Sequence, residues 1–271
     1  MRDIQGLRKK YFEELTGKHL ASKKETLSIE DENRIINNCM MVAETKAYID
    51  TVLPEEHRKY TIFDFNGKTN NNKKVIDSDI ALRAKNLVCK YCWGRTWEKL
   101  LIENNGEEGI KKYVQKESLM MKRLTNGNHV AIFGQSLERI GRTFLASVIL
   151  KEAIKLRLRY PGCRTHTYDW VDFTILKKEL YEDKDDCSAY RTVDWLVVDN
   201  INSLSISSDA QRNFIMDNID PFFLSRVRNK LPTILVFKFD IRHETIELDK
   251  KIGTGMVNML YNDKTCKIPL T

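Results

Sequence analysis

The sequence contains no long hydrophobic run. No stretch approaches the roughly 20 consecutive apolar residues that a membrane-spanning helix needs. The opening MRDIQGLRKKYFEEL carries a charge every few residues, whereas a secretion signal needs an apolar segment at this point. Both absences argue against a membrane or secreted protein, so we expect a cytoplasmic chain with no membrane partner.

The chain also lacks the patterns of disulfide frameworks, structural zinc sites and acyl-transfer enzymes. It has six cysteines, which are expected to stay reduced because no secretion signal is present. Cys89 and Cys92 form one Cys-x-x-Cys pair without a second, and a structural zinc ion needs four ligands. Cys163 and His166 would complete such a set only if the fold brought them close. The histidines have no nucleophile motif beside them.

The composition is that of an ordinary folded protein. The chain has 271 residues, of which 42% are hydrophobic and 31% charged, and this length allows one or two domains with a real core. Lysine and arginine total 45 against 38 acidic residues, giving a formal net charge of +7. This surplus is compatible with a polyanionic partner but does not by itself establish one.

The first 125 residues have mainly helical patterns. Ser28 and Asp31 have the spacing of a capping box, and apolar residues then recur at helical spacing between Ile36 and Ala47. A short extended segment is expected at 60–65, followed by a surface loop at 66–74 that is rich in asparagine and lysine. We predict an N-terminal helical region at 1–60 and a helical lead-in at 61–125, with helices that begin at Asp79 and near Ile110.

After Asn126 the pattern changes to short apolar strands that alternate with helices. Strands are predicted at 129–133, 165–171, 195–198 and 233–239, and helices at 142–159, 173–181 and from Ser207 or Ser208 to Arg228. Uninterrupted apolar strands between helices are typical of a parallel sheet covered on both faces. The sequence therefore predicts a three-layer α/β core over 126–271.

One strand–turn–helix segment, VAIFGQSLERIGRT, has the features of a phosphate-binding loop. Backbone N–H groups at a helix start and the helix dipole favour an anion there. The candidate ligands of a nucleotide phosphate are Gly134, Ser136, Gly141, Arg142 and Thr143. A Walker A motif, GxxxxGK[ST], would place glycine at position 136 and lysine at 142, so the match is imperfect. The letters Gly67-Lys68-Thr69 lack both the first glycine and a following helix.

The segment WLVVDN resembles a Walker B strand. Asp199 ends its apolar run, where ligands gather at the carboxyl edge of open α/β sheets. Together with Thr143 it is a candidate Mg²⁺ site. An active ATPase would need glutamate at the next position, and Asn200 cannot accept a proton from water. We therefore expect hydrolysis to be slow or absent, and we assign no catalytic residue.

The order of these motifs resembles the AAA+ core of the DnaC/IstB-like helicase loaders. The resemblance extends from about Tyr60 to the end and includes the segments TYDWVDFTIL and RVRNKLPTILV. It implies a P-loop NTPase fold that binds ATP and Mg²⁺, with a replicative DNA helicase and single-stranded DNA as partners. The family's sensor asparagine and its C-terminal arginine are absent at Phe237-Lys238-Phe239 and Gly255-Met256-Val257.

Three functions remain open from the sequence. The first is a DnaC-like loader that binds helicase through the helix around Ile36 to Ala47, with nucleotide as a conformational ligand. The second is an active P-loop ATPase of a phage or transposon, and the third is a pseudo-ATPase scaffold. A homo-oligomer is compatible with each of them.

Basic and aromatic side chains after the phosphate loop are candidates for single-stranded DNA contact, because cations pair with phosphates and aromatic rings stack on bases. The candidates are Lys151, Lys155, Arg157, Arg159, Tyr168 and Trp170. The alternative is that the cations form the solvated face of a helix and that Trp170 belongs to the core. Arg226, Arg228 and Lys230 form a second basic cluster.

Overall fold

The fold was obtained as a computed structural model. It describes residues 4–22, 28–67, 76–134, 141–182, 188–202, 208–243 and 248–270. Of the predicted features, most of the loop at 66–74, the residue Ser136 and the alternative cap Ser207 lie outside the described residues. None of the described helices combines the length and the apolar character needed to cross a membrane.

The N-terminal part is helical, as predicted. Its helices are α1 Ile4–Ser22, α2 Ile29–Val52, α3 Ser78–Trp93, α4 Trp97–Glu103, α5 Glu107–Lys116 and α6 Met120–Asn126. Ser28 is confirmed as the N-cap of α2: the Asp31 N–H donates to the Ser28 hydroxyl oxygen over 3.2 Å, and that hydroxyl donates to the Asp31 carboxylate over 2.8 Å. Asp77 caps α3 by accepting the N–H of Asp79.

The second part contains a parallel sheet of five strands. The strands are β1 Val130–Phe133, β2 Tyr168–Asp172, β3 Trp195–Ile201, β4 Thr233–Phe237 and β5 Cys266–Pro269. Their order across the sheet is β2-β3-β4-β1-β5, and every pairing is parallel. The helices between them are α7 Arg142–Ile154, α8 Leu156–Arg159, α9 Phe173–Glu182, α10 Ser188–Thr192, α11 Asp209–Phe214, α12 Asp220–Arg228, α13 Leu248–Ile252 and α14 Thr254–Leu260.

Alternating side chains of the strands enter two separate apolar layers. In β1, Val130 and Ile132 pack in the layer formed with α3 and α7, while Ala131 and Phe133 pack in the layer formed with α9, α12 and α14. All four are buried, so the strand is covered on both faces. The prediction of a three-layer α/β fold is confirmed.

The predicted ranges 1–60, 61–125 and 126–271 share one apolar cluster. Leu53, Val88 and Val130, one from each range, lie in the layer that contains α7. The N-terminal helices are therefore partly built into the core. The ranges themselves stay predictions.

Several predicted boundaries were wrong for local reasons. The segment predicted as extended at 60–65 contains a 3-10 turn at Ile62–Asp64, and the helix predicted at 142–159 ends at Ile154 before a short second helix. The helix before Arg228 contains a π-helical turn at Ile215–Ile219. Pro221 follows this turn; it has no N–H to donate, and its ring would clash with the carbonyl four residues earlier, so the widened turn has a physical cause.

The amino edge of the sheet contains a buried histidine. His129 immediately precedes β1, and its Nδ1 accepts the backbone N–H of Thr233 over 3.2 Å. Burial lowers the pKa of His129 to about 4, and the positive charges of Arg226 and Lys264 add to this effect. The folded protein therefore holds His129 neutral and uses it as a hydrogen-bond acceptor.

This histidine predicts a loss of stability in acid. Between pH 6.5 and pH 4, His129 binds a proton in the unfolded chain but stays neutral in the folded chain. The free energy of unfolding therefore falls as pH falls through this window. At pH 4 this pKa shift lowers the free energy of unfolding by roughly 3 kcal/mol. Urea denaturation at several pH values should show this loss reduced in His129→Asn and retained in the control His166→Asn. The prediction would be contradicted if the free energy of unfolding depended on pH equally in the native chain and in His129→Asn.

Candidate functional site

The loop after β1 and the end of β3 meet at the carboxyl edge of the sheet. Strand β4 lies between β1 and β3, and all three run in the same direction, so their ends share one edge. The Thr143 hydroxyl, at the start of α7, lies close enough to the Asp199 carboxylate, near the carboxyl end of β3, for hydrogen bonding to lower the pKa of that carboxyl group. The structure thus brings together the two residues that the sequence predicted as an Mg²⁺ site.

Gly141 immediately precedes α7, the helix that leaves this loop. Its φ is +88°, a left-handed conformation that favours glycine, and a Cβ at this position would lie 2.7 Å from a ring carbon of Phe65. Phe65 in turn packs against Phe144, with ring centroids 5.6 Å apart. The segment before α3 therefore covers the first turn of α7, and no larger residue fits at 141 without displacing it.

The Arg142 side chain is bound to the backbone of the loop that precedes it. Its guanidinium donates to the backbone carbonyl of Gly134 over 2.7 Å, and the side chain is buried. Burial lowers the pKa of Arg142, and the negative charge of Asp199 partly opposes this shift. The arginine thus ties the two ends of the phosphate loop together, a contact that the sequence did not predict.

Asp199 offers oxygen atoms of the kind that Mg²⁺ prefers. Only 5% of the residue is exposed, and burial raises the pKa of its carboxyl group. Hydrogen bonds from the Asn200 N–H and the Thr143 hydroxyl oppose the rise by stabilising the charged form. A hydroxyl and a carboxylate converging at a sheet edge match the oxygen ligands of a magnesium nucleotide.

Asn200 occupies a strained backbone position and is bound by a second carboxylate. Its φ is +60°, which is uncommon for a residue other than glycine. Its side-chain amide donates to the Asp172 carboxylate over 2.6 Å. Asp172 ends β2 and pairs in register with Asp199, so two carboxylates lie side by side at this edge.

Asp172 is a residue that the sequence analysis missed. Burial alone would raise its pKa, but hydrogen bonds from Asn200 and Thr174 outweigh burial and lower it. Its position as the last residue of the strand YDWVD could have indicated its place at the edge. Lys238 was also missed: it is exposed where the resemblance implies a sensor asparagine, and its charge acts on both Asp172 and Asp199.

Lys151 on α7 and Arg157 on α8 are buried, which corrects the prediction that these two cations contact DNA. Lys151 is 5% exposed and donates to the backbone carbonyls of Arg58 and Tyr60, both over 2.5 Å. Arg157 is 4% exposed and donates to the His166 carbonyl and the Glu44 carboxylate. These cations bind the N-terminal segment to the core.

The other predicted DNA contacts are also largely engaged inside the molecule. Arg159 donates to the backbone carbonyls of Val114 and Gln115. Lys155 pairs with Glu152 over 2.5 Å. Tyr168 is buried, and Trp170 is half-buried against the apolar layer of α7, as the alternative predicted. Arg226, from the second basic cluster, is fully buried.

The cysteines form no metal site within the described part of the chain, where no group of three or more suitable side chains lies close enough to hold a metal ion. Cys89 and Cys92 are buried in the layer of α7. Burial raises the pKa of Cys89 to about 12 and that of Cys92 well above its usual value, so both are thiols used in packing.

No protein-family model matches the chain, and no curated protein matches it. Among solved structures it is similar to the DnaC helicase loader, with 18% identity and a TM-score of 0.41, over 56% of this chain and 86% of that chain. It is also similar to DnaI, with 18% identity and a TM-score of 0.39, over 61% and 83%. A putative primosome component from Streptococcus pyogenes serotype M3 shares 13% identity with a TM-score of 0.47, over 83% and 96%.

Proposed function

We propose that this chain is an accessory protein of DNA replication of the helicase-loader type. In this role it binds a replicative helicase and single-stranded DNA in the cytoplasm, with ATP and Mg²⁺ as conformational ligands and little hydrolysis. The observation that carries the proposal is the hydrogen bond between Thr143 and Asp199 at the carboxyl edge of the sheet. The order of sequence motifs around it supports the loader class.

The residues at the edge fit a magnesium nucleotide in part. Thr143 and Asp199 would hold the metal ion, and backbone N–H groups at the start of α7 would face the phosphates. A bound metal ion would neutralise phosphate charge. Arg142 fits less well, because its guanidinium is bonded to the Gly134 carbonyl and is not a compact ammonium.

Slow hydrolysis is supported by the surroundings of Asn200. Its amide is held by Asp172, and an amide cannot take a proton from an attacking water. Binding of nucleotide would instead act on the contact between Arg142 and Gly134 and on the Thr143–Asp199 pair. Such a change at the start of α7 would be passed to the segment that Lys151 holds against this helix.

The N-terminal helices are proposed as the helicase-binding element. Helix α1 packs along α2, and α2 is fixed to the core by the ion pair of Glu44 with Arg157 over 2.9 Å. Ala43 and Ala47 on α2 are buried, so the partner would contact outward-facing residues of α1 and α2 rather than that apolar face. Removal of residues 1–27 therefore takes away α1 while keeping the carbonyls and the carboxylate that Lys151 and Arg157 bind.

We expect the native chain to co-elute with the replicative helicase of its own host, and the chain without residues 1–27 to lose the complex. Mg²⁺ and ATP should change the amount of complex for the native chain and leave Asp199→Ala unaffected, because that variant lacks the metal-binding carboxylate. A native chain that does not bind the helicase would contradict the loader role. An unchanged melting temperature with Mg²⁺ and ATP would favour the scaffold, which the Arg142–Gly134 contact also fits.

A further inference from the structure

The turns at the amino edge of the sheet form a basic surface on the side opposite the candidate nucleotide site. Because the strands are parallel, the turns that enter β1, β4 and β5 all lie at the amino edge, and β1 is the neighbour of both other strands. The cations on these turns and on the helix ends beside them are Lys90, Lys122, Arg123, Arg228, Lys230 and Lys264. We refer to these residues as the amino-edge surface.

Direct contacts bring the three turns together. The ammonium of Lys264, before β5, donates to the carbonyl of Asn126, before β1, over 3.4 Å. The side-chain amide of Asn128 donates back to the Lys264 carbonyl over 2.9 Å. A Cβ added at Gly127 would lie 2.6 Å from the Cα of Lys230, before β4. Lys230 and Lys264 therefore lie on either side of the turn that enters β1.

The end of α3 joins the same surface. The Tyr91 hydroxyl donates to the Asn128 carbonyl over 2.8 Å. The Arg123 guanidinium donates to the carbonyl of Tyr91 over 3.1 Å and to that of Lys90 over 3.4 Å. These bonds place Arg123 and the backbone of Lys90 beside the turn, and the partners of the Arg123 guanidinium in them are backbone oxygens.

Charge on the amino-edge surface is strongly unbalanced. Lys90, Lys122, Arg228, Lys230 and Lys264 are exposed, and Arg123 is half-exposed. On the described turns that enter β1, β4 and β5, one residue is acidic, Asp263. Asp194 also lies at the amino edge, before β3, but it accepts hydrogen bonds from the N–H and hydroxyl of Thr167. The surface has the charge of a polyanion site.

We propose that the amino-edge surface binds the phosphate backbone of nucleic acid. Lysine, arginine and asparagine side chains are the groups that contact phosphates, and Asn126, Asn229 and Asn262 lie on these same turns. A membrane surface would need exposed apolar side chains among the cations, and the described turn residues have none between Asn126 and Asn128 or between Arg228 and Lys230. The exposed ring beside the surface, Tyr261, has the Lys267 ammonium 4.7 Å from its centroid.

The expected binding mode is independent of sequence and of strandedness. Phosphate contacts carry no base information, and the amino-edge surface presents no stack of free aromatic rings for unpaired bases. This inference rests on the DNA binding of the proposed function and deepens it, because it assigns a nucleic-acid surface on the far side of the sheet from the nucleotide site and extends the ligand to duplexes. Helicase binding and nucleotide response do not depend on it.

The test compares two triple variants with the same change in net charge. Lys90→Glu, Lys122→Glu and Lys264→Glu together alter the amino-edge surface, whereas Lys99→Glu, Lys112→Glu and Lys250→Glu alter exposed lysines elsewhere. Fluorescence anisotropy with a labelled 30-nucleotide single strand and a 30-base-pair duplex, at several salt concentrations, gives the affinities. The first triple should bind both at least about tenfold more weakly and show a smaller salt dependence, while the second stays within about threefold of the native chain.

Three results would overturn the proposal: equal losses in both triples, no binding of either DNA by the native chain at low salt, or displacement of DNA by polyglutamate as readily as by unlabelled DNA. The urea midpoint of each triple checks folding. If the first triple unfolds, the three lysines are replaced by glutamine, and the same loss of affinity is expected. Retained helicase binding in the first triple would separate this surface from the proposed loader function.

Discussion

Replacing Arg226 with methionine should lower the free energy of unfolding by about 3–5 kcal/mol, a large effect for a single substitution. The side chain is fully buried near the amino edge of the sheet. Its guanidinium donates to the Thr233 hydroxyl over 2.9 Å and to the carbonyls of Tyr190, Val193 and Pro232 over 2.7–2.9 Å. Methionine would fill much of the space but leave these acceptors without a donor.

The charge on Arg226 is stabilised mainly by dipoles. Burial lowers the pKa of Arg226 to about 9, and the Asp194 carboxylate opposes the shift. The guanidinium therefore stays positive at neutral pH, and its five N–H donors match the surrounding oxygens. Arg228→Met is the matched control, since this exposed arginine lies two residues further along α12 and its replacement should cost less than about 0.5 kcal/mol.

Chemical denaturation of both variants against the native chain measures the difference. A value for Arg226→Met within about 1 kcal/mol of the control would show that water or other groups satisfy the carbonyls after the substitution. The comparison also tests the corrected interpretation of the basic cluster at 226–230, in which Arg226 is structural and Arg228 and Lys230 belong to the surface.

The architecture could be predicted from the sequence because its signals are local. Three of the five strands, β1, β3 and β4, have apolar runs that are buried on both faces, and each run predicts a central strand without knowledge of its neighbours. Strand β5 was missed because CKIP is short and contains a lysine and a proline. The edge position of β5 explains why these residues are tolerated there.

The roles of the cations could not be predicted in the same way. Spacing places Lys151 and Lys155 on one face of a helix, but it does not say which segment covers that face. Here the segment after α2 lies across α7, and its carbonyls take the Lys151 ammonium, whose pKa burial lowers to about 8. These contacts join residues that are 93 and 91 positions apart in the sequence, so local spacing does not predict them.

A residue of the candidate site was predicted where its own strand or turn has a recognisable motif. A residue was missed where its role depends on the strand that lies beside it. Thr143 and Asp199 each follow a recognisable strand or turn, so their meeting at the carboxyl edge was expected. The pairing of Asn200 with Asp172 depends on which strand lies beside β3, and that order was unknown from the sequence. The sequence therefore indicated a missing carboxylate at 200 without indicating the carboxylate next to it.

This pairing leads to the second large effect, a gain of hydrolysis when the amide is moved to position 172 and a carboxylate to position 200. Asp172→Asn with Asn200→Glu keeps an amide–carboxylate hydrogen bond between β2 and β3 but moves the carboxylate to the position after Asp199. Arg142→Lys in the same chain removes the guanidinium bond to the Gly134 carbonyl and supplies a compact ammonium. We expect this triple variant to release phosphate from ATP at least about 100-fold faster than the native chain, since a positioned general base contributes about that much.

Controls separate the parts of this effect. Asn200→Glu with Arg142→Lys, but with Asp172 retained, should gain less, because two adjacent carboxylates repel and one of them takes up a proton. Adding Asp199→Ala to the triple variant should return phosphate release to the background, since the metal ion loses its carboxylate. If the triple variant is stabilised by Mg²⁺ and ATP in thermal melts yet hydrolyses no faster than the native chain, the missing base is not what limits this site. The positive φ of Asn200 would then be the feature to test next, by Asn200→Gly.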